Sequence, residues 1–583
     1  MGAMARCQES SVQVHSEGWF QEHMKGPISK DAVDGSILPI VLTTTISEGM
    51  VEKMQPSGME EALPIHVISD IINKVKDARD LANCMATSKT MNEAVQQVRC
   101  LNLVCRKRYY DLARERFPVR PPCSYSDSDE EDDEIDSDSE ESEEEEDEDD
   151  CCEISRSQAK SSAKFQDGCC GKSASFSNST SPQRPVHVPF KNACLNMLQR
   201  LDSVQQLRIE VDQEMQANQL LKEELHMVDF WLSEPMFVSK WVSLCSHSLQ
   251  HLTLIDYGQQ AIMRQSPIVK ILSEKCKNLQ SLELRNMFLD TEDLQQMSNM
   301  KSLTLRCIKM TERSLTDINA CMPALVTLAL VSVFGVQEAR LTSENLEVLC
   351  LGLSTSAKIV DLDLPKVKKL QLKMTCPDSL RVKAPSLAYV AVCMENRERS
   401  LVEFDDITQL KELLFGASHF RTLSSLMRTN PFLEKIFLDV PCMSLGEDGK
   451  WEGIIPQVPL AVPDIESLKE SCPLLHTLSV GPGLWHSMEK SFAADQNLAT
   501  FLRWPALTHL IVHMVVLSAH ACTSLLRWLL FAVPSLKDLE IYVHLDSPVK
   551  LDQVWSVCQE HAAHTNLKGG TWRRSLNFAC FSF

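Results

Sequence analysis

The sequence is poor in the signals that carry chemistry. None of its 22 cysteines falls in a C-x-x-C spacing, and two adjacent pairs, Cys151-Cys152 and Cys169-Cys170, are the only close ones. Zinc-finger and disulfide-framework readings are thereby excluded. Cysteines such as Cys276, Cys350 and Cys393 stand where a small apolar residue would serve, which fits a reducing compartment, the cytosol or nucleus. There is no Gly-rich phosphate loop, no G-x-S-x-G and no H-E-x-x-H. His509 and His513 share a strand face but are too far apart for one metal, and His561 with His564 lacks a third ligand. The expectation is a non-catalytic protein with no cofactor and no metal. No basic stretch precedes an apolar run at the N-terminus, and Ile37–Leu42 is too short to span a bilayer, so no membrane partner is expected.

A broad positive field is also missing, which argues against nucleic acid as a partner. The formal net charge is −21, and 19 of the 24 residues from Asp127 to Asp150 are Asp or Glu. Outside that run the chain is close to neutral. Ser126, Ser128, Ser137 and Ser142 each have an acid three residues on, as an acid-directed kinase requires. Residues 119–189, acidic and then rich in Ser, Cys, Gly and Lys with Pro182, Pro185 and Pro189, read as a disordered linker. Residues 1–58 show no sustained period and read as flexible.

What is present is a repeat. A hexamer, apolar-x-x-apolar-x-apolar, starts at 204, 249, 279, 300, 325, 346, 367, 387, 410, 433, 475, 507 and 536, with most gaps between 20 and 30 residues. This is the leucine-rich-repeat pattern. Each hexamer ends in a short strand with its leucines on one side, and the segments between read as helices. Ser266-Pro267 is the clearest helix start, with Ile268, Ile271 and Leu272 on one face, and Thr311 opens another ahead of Leu315 and Ile318. A further match at Ile359 lies too close to the next unit and is set aside. The fold class is α/β, a leucine-rich-repeat solenoid over 190–565 (a horseshoe with strands on the concave face and helices on the convex face), followed by a tail at 566–583. Two long gaps, Asp439–Leu474 and Gly481–Pro505, read equally as functional loops or degenerate repeats.

Ahead of the linker, residues 59–105 read as a small all-α module. Its first helix is apolar over about 200° of arc, through Leu63, Ile65, Val67, Ile68, Ile71, Ile72 and Val75, where a surface helix needs little more than 100°. One side can meet Leu81, Cys84, Met91 and Val98; the other calls for an outside partner. So short a segment is rarely stable alone.

Leu63-Pro64, Val67-Ile68, Ile71-Ile72 and Val75, followed by Asp80-Leu81, Cys84 and Ser88-Lys89, resemble an F-box. His66 stands where the family has an acid, and Met91 where it has Trp. With the repeats, the chain resembles plant F-box/leucine-rich-repeat proteins of the ribonuclease-inhibitor-like group. That resemblance implies the substrate-recognition subunit of a Skp–cullin–F-box ubiquitin ligase. Leu63, Pro64, Val67, Ile68, Ile71 and Leu81 would line the contact with the Skp adaptor, and through it the cullin–RING ligase. A non-ligase leucine-rich-repeat scaffold, or an acidic histone-binding protein, remains the alternative.

The residue between the last two apolar positions of each hexamer points away from the core. In the middle units these outward residues are, apart from Gln371, apolar: Ala329, Cys350, Ala391, Leu414 and Phe437, with Tyr389 beside them. The expectation is an exposed apolar patch at which a protein substrate docks. A second outward row, Arg285, Arg306 and Lys373, is basic.

Overall fold

The computed structural model describes residues 65–107 (except 76), 110, 189–212, 229–256, 262–395, 400–416, 420–438, 443–445, 451–453, 465–494, 503–545, 547, 549, 551–561 and 565–572. The chain divides into two units, residues 1–107 with 189–583, and residues 108–188. Apart from Tyr110, every described residue lies in the first. The expected flexible N-terminus and acidic linker lie outside the described residues.

The hexamers form one long sheet. Its strands in order are β1 (Cys100–Cys105), β2 (Gln206–Val211), β3 (His251–Ile255), β5 (Ser281–Leu289), β6 (Ser302–Lys309), β7 (Thr327–Val333), β9 (Val348–Leu353), β11 (Lys369–Thr375), β13 (Tyr389–Glu395), β15 (Glu412–Gly416), β16 (Lys435–Leu438), β19 (Thr477–Val480), β20 (His509–Met514), β21 (Asp538–His544) and β22 (Asn566–Trp572), with the two-residue β4 (Gln265–Ser266) beside β5. Every pairing in it is parallel. The hexamer leucines align across it: Leu101, Leu207, Leu252, Leu282, Leu303 and Leu328 lie in one register row. All are buried, because the leucines of one unit are covered by those of the next.

All 13 hexamers are strands of this sheet. Two further strands went unrecognised in the sequence. Val98-Arg99-Cys100-Leu101-Asn102-Leu103 is a full hexamer, and it forms β1. The boundaries 59–105 for an all-α module and 190 for the start of the solenoid are therefore corrected: the sheet begins at Cys100. At the other end β22 carries Gly569 where a leucine belongs. A Cβ there would overlap the ring of Trp555, which occupies that space instead. The solenoid thus runs on to Trp572, past the expected end at 565.

The layer opposite the sheet is helical at both ends, with helices at Phe190–Leu198, Pro235–Cys245, Ile268–Lys275, Ser314–Cys321, Phe420–Thr429, Ala519–Ala532 and Leu551–His561. Ser266 does not cap its helix; its hydroxyl donates to the Ser233 carbonyl at 2.6 Å. In the middle no helix stands among the described residues. There a second parallel sheet replaces the expected helices, in the order β14 (Leu401–Asp405), β12 (Ser379–Lys383), β10 (Ile359–Asp363) and β8 (Glu338–Thr342). Units here span about 20 residues, enough for two strands and their turns but not for a strand and a helix. The match set aside at Ile359 is β10, a real strand in the other layer. Alternation carries the burial: Val360 and Leu362 face inward while Asp361 is exposed.

Within β5, β6 and β7 a left-handed residue stands at equivalent positions, Asn286, Cys307 and Ser332. Beyond β7, Gly335 sits at φ 93°, and a Cβ there would overlap the Met310 carbonyl. Gly335→Val should lower stability by about 3 kcal/mol or more, read as a lowered urea midpoint, since it adds both backbone strain and a clash.

Neither long gap adds a strand to the long sheet among the described residues: β16, β19 and β20 are successive neighbours in it, so the second gap is the helical return of the β19 unit and not a hidden repeat. Residues Pro482–Ala494 form a helix, and Trp485 and Trp504 are fully buried. The first contains an antiparallel hairpin, β17 (Met443–Leu445) with β18 (Trp451–Gly453), and a helix at Ile465–Ser471.

Candidate functional site: the N-terminal module and the outward sheet face

Three short helices precede β1: α1 (Ile65–Ile72), α2 (Ala78–Thr87) and α3 (Lys89–Gln96). Asp77 caps α2 by accepting from the Arg79 amide at 3.0 Å, and Ser88 caps α3 by accepting from Met91 at 3.1 Å. Ile68, Ile72, Leu81, Ala94, Val95 and Val98 form the interior of the module. Ile68 and Ile72 of α1 are therefore covered within this chain, by α3 and the residues leading into β1. Ile68 and Leu81 are buried at 4 % and 0 % exposure, so in this chain they support the surface rather than form it. Ile71, at 52 % exposure, points outward. Leu63 and Pro64 lie outside the described residues, as does the side chain of Val67.

The module is also joined to the repeats by main-chain bonds. Asp77 bridges to Asn102, the Asp202 amide donates to the Gln96 carbonyl at 2.9 Å, and the Gln205 amide donates to that of Arg99 at 2.8 Å. β1 pairs with β2 along six residues. The chain departs after β1 and re-enters at Pro189, so residues 108–188 are inserted between two strands that pair with each other. The helical module and the repeats are therefore in direct contact.

On the outward face, the six candidate substrate residues divide. Ala391 and Leu414 are buried and form a small cluster with Tyr389, Cys393 and Phe437 packed against them, and Cys350 is 5 % exposed. Ala329, Tyr389 and Phe437 are half-buried. Strands in register bring Ala391, Leu414 and Phe437 directly beside one another, and side chains so placed bury one another. The expected exposed apolar patch is corrected accordingly: only its margin, Ala329, Tyr389 and Phe437, meets solvent. A polar substitution at Leu414 would disturb packing, so Phe437 is the position at which contact can be tested.

The thiols behave as packing groups. Burial pushes Cys245, Cys276, Cys472 and Cys558 up to about 12, so these stay protonated and unreactive. Among the described residues no group of three His, Cys, Asp or Glu is placed to hold a metal ion, and no helix is long and apolar enough to cross a membrane.

The last units carry a polar outward network. His509 Nε2 lies 2.8 Å from an Asp538 carboxylate oxygen, and Tyr542 donates to Glu540 at 3.0 Å. His513 stacks on Tyr542 with ring centroids 4.8 Å apart. Burial lowers the His513 imidazole to about 4, against a weaker opposing pull from Glu540. An unfolded histidine titrates near 6.5, so below that pH the unfolded chain takes the proton first. Stability should fall from pH 6.5 to pH 4, by up to about 3 kcal/mol from this group. His513→Phe, which keeps the stack, should flatten that part of the dependence in thermal melts.

Residues 238–399 match the family model described as the leucine-rich repeats of the FBD-associated F-box protein At5g56370. The chain is also 22% identical over 519 residues to the F-box/LRR-repeat protein At4g29420 of Arabidopsis thaliana, covering 88% of this chain and 98% of that protein. The similarity to that protein therefore runs well beyond the residues that the family model matches.

Proposed function

We propose that this chain, whose repeats are of the F-box-associated leucine-rich kind, is the substrate-recognition subunit of a Skp–cullin–F-box ubiquitin ligase. The helical module binds the Skp adaptor through the exposed side of α1 around Ile71. The outward face of the sheet holds a protein substrate. The chain makes no bonds itself and contributes proximity, presenting the substrate to catalytic subunits in the cytosol or nucleus.

The observation that carries this reading is the similarity to an F-box/LRR-repeat protein over nearly the whole of both chains. Exposed Ile71, beside buried Ile68 and Ile72 on the same helix, supports it, since a large apolar side chain left in water beside a buried core is what an adaptor would cover. Co-purification tests it: the full chain should retain a Skp adaptor. Retention of histones with no adaptor would overturn the receptor reading in favour of a scaffold.

A further inference from the structure

Each connection between neighbouring strands of the long sheet carries a helix or a further strand, except that between β5 and β6. Residues 290–301 hold only turns. The Asp290 carboxylate accepts from the Glu292 amide at 3.1 Å, and Asp293 takes the left-handed conformation at φ 54°. Both features oppose the start of a helix here. The layer opposite the sheet therefore lacks an element between the helices at Ile268–Lys275 and Ser314–Cys321.

The irregular stretch is held against the first of these helices. Lys270 pairs with Asp293 at 3.1 Å, and the Gln295 amide donates to the Ser273 hydroxyl at 3.0 Å. Between the stretch and the second helix opens a cavity of about 1130 Å³. Buried contacts tie its walls together: Thr291 Oγ1 lies 3.0 Å from Ser314 Oγ, and the Cys321 thiol donates to the Gln295 carbonyl at 2.6 Å. Leu294 and Ala320 give the lining an apolar part. Glu292, Asp293, Glu312 and Asp317 give it carboxylates, with Arg313 the one cation among the lining residues. Asp293 is met by Lys270, and Asp317 lies 3.3 Å from the Thr291 hydroxyl. Glu292 and Glu312 are exposed, and neither has an ion-pair partner among the described residues.

We propose that this cavity docks a basic segment of a partner protein. The segment seats an Arg or Lys side chain with its methylenes against Leu294 and Ala320 and its cationic head at Glu292 and Glu312. An apolar wall beside carboxylates that have no cation of their own suits a side chain with a long apolar stem and a charged tip, and an acidic or wholly apolar segment would leave those carboxylates unmatched. Such complementarity sets partner choice and on-rate, and it weakens with salt. The cavity lies in the layer opposite the outward sheet face, so a partner held here leaves that face open for substrate. The inference goes beyond the receptor reading and does not depend on it.

The test uses the full chain and a short fluorescent peptide carrying Arg-Leu-Arg among Gly and Ser residues, followed by anisotropy at low and high salt. Binding should weaken with salt. Glu292→Lys with Glu312→Lys should lower affinity about tenfold or more, while Asp361→Lys, an exposed acid of β10 outside the cavity, leaves it within about twofold. Ala320→Trp should lower it as far with no change of charge, because the indole fills the cavity from an exposed position. Melting temperatures confirm that each variant is folded. Equal binding of a Gln-Leu-Gln peptide, no binding by the unaltered chain, or undiminished binding by either the Lys pair or Ala320→Trp would each overturn the proposal. Adaptor retention, read on the same samples, should not change with these substitutions, so a failure here and a failure of the receptor reading are told apart.

Discussion

Ile71→Asp is expected to abolish retention of the Skp adaptor while leaving the melting temperature of the chain within about a degree. The side chain is the one large apolar residue of α1 shown to be mostly in solvent, so the substitution costs the free chain little. In a complex it would place a carboxylate against apolar surface with no partner, and truncations at such anchors cost about 2 kcal/mol or more, before the charge is counted. Leu81 gives the contrasting case. It is fully buried, and Leu81→Ala should lower stability by about 3 kcal/mol through the cavity it leaves. Its effect on adaptor retention should follow the folded fraction and disappear at low temperature. If Ile71→Asp left retention intact, the exposed side of α1 would not be the adaptor surface, and the module would serve the repeats alone.

The second large effect concerns that service. Removing the chain through residue 188, helices and β1 together, should lower the stability of the remaining repeats by about 5 kcal/mol and drive self-association. The removal uncovers the β2 edge and the inner row Leu207, Ile209 and Val211, each now nearly without solvent contact. Burying a side chain of this size contributes about 1.5–3 kcal/mol, and a bare parallel edge is a template for pairing. Repeat arrays need a terminal unit that closes them, and α1–α3 with β1 fill that place. Thermal melts and size-exclusion of residues 189–583 against the full chain measure this. A truncated chain as stable and as monomeric as the full one would reduce the module to an appendage.

Much of the fold was legible because its signal repeats. Thirteen hexamers announce thirteen strands, and no single degenerate unit could hide the series. What escaped did so for local reasons. β1 carries an intact hexamer but lies beyond an acidic insertion, where it reads as the end of a helical module. β22 lacks its second leucine because Trp555, eleven residues or more away in sequence, fills the space. β10 was visible at Ile359 and set aside because strands of two layers alternate faster than one layer allows. The site was less legible than the fold. Outward positions follow from strand alternation, but their exposure depends on what stands beside them across the sheet.

The sequence by itself determined the repeat, its register and which side of each strand is leucine, since period-two alternation admits no other burial of those side chains. Tertiary structure alone decided that the helical module closes the solenoid, that the acidic run is inserted between paired strands, and that Ala391 and Leu414 lie buried. Each of these depends on contacts between residues far apart in the chain, such as Cys100 with Gln206 or Leu414 with Phe437, and no local pattern encodes which distant strand will supply the neighbour.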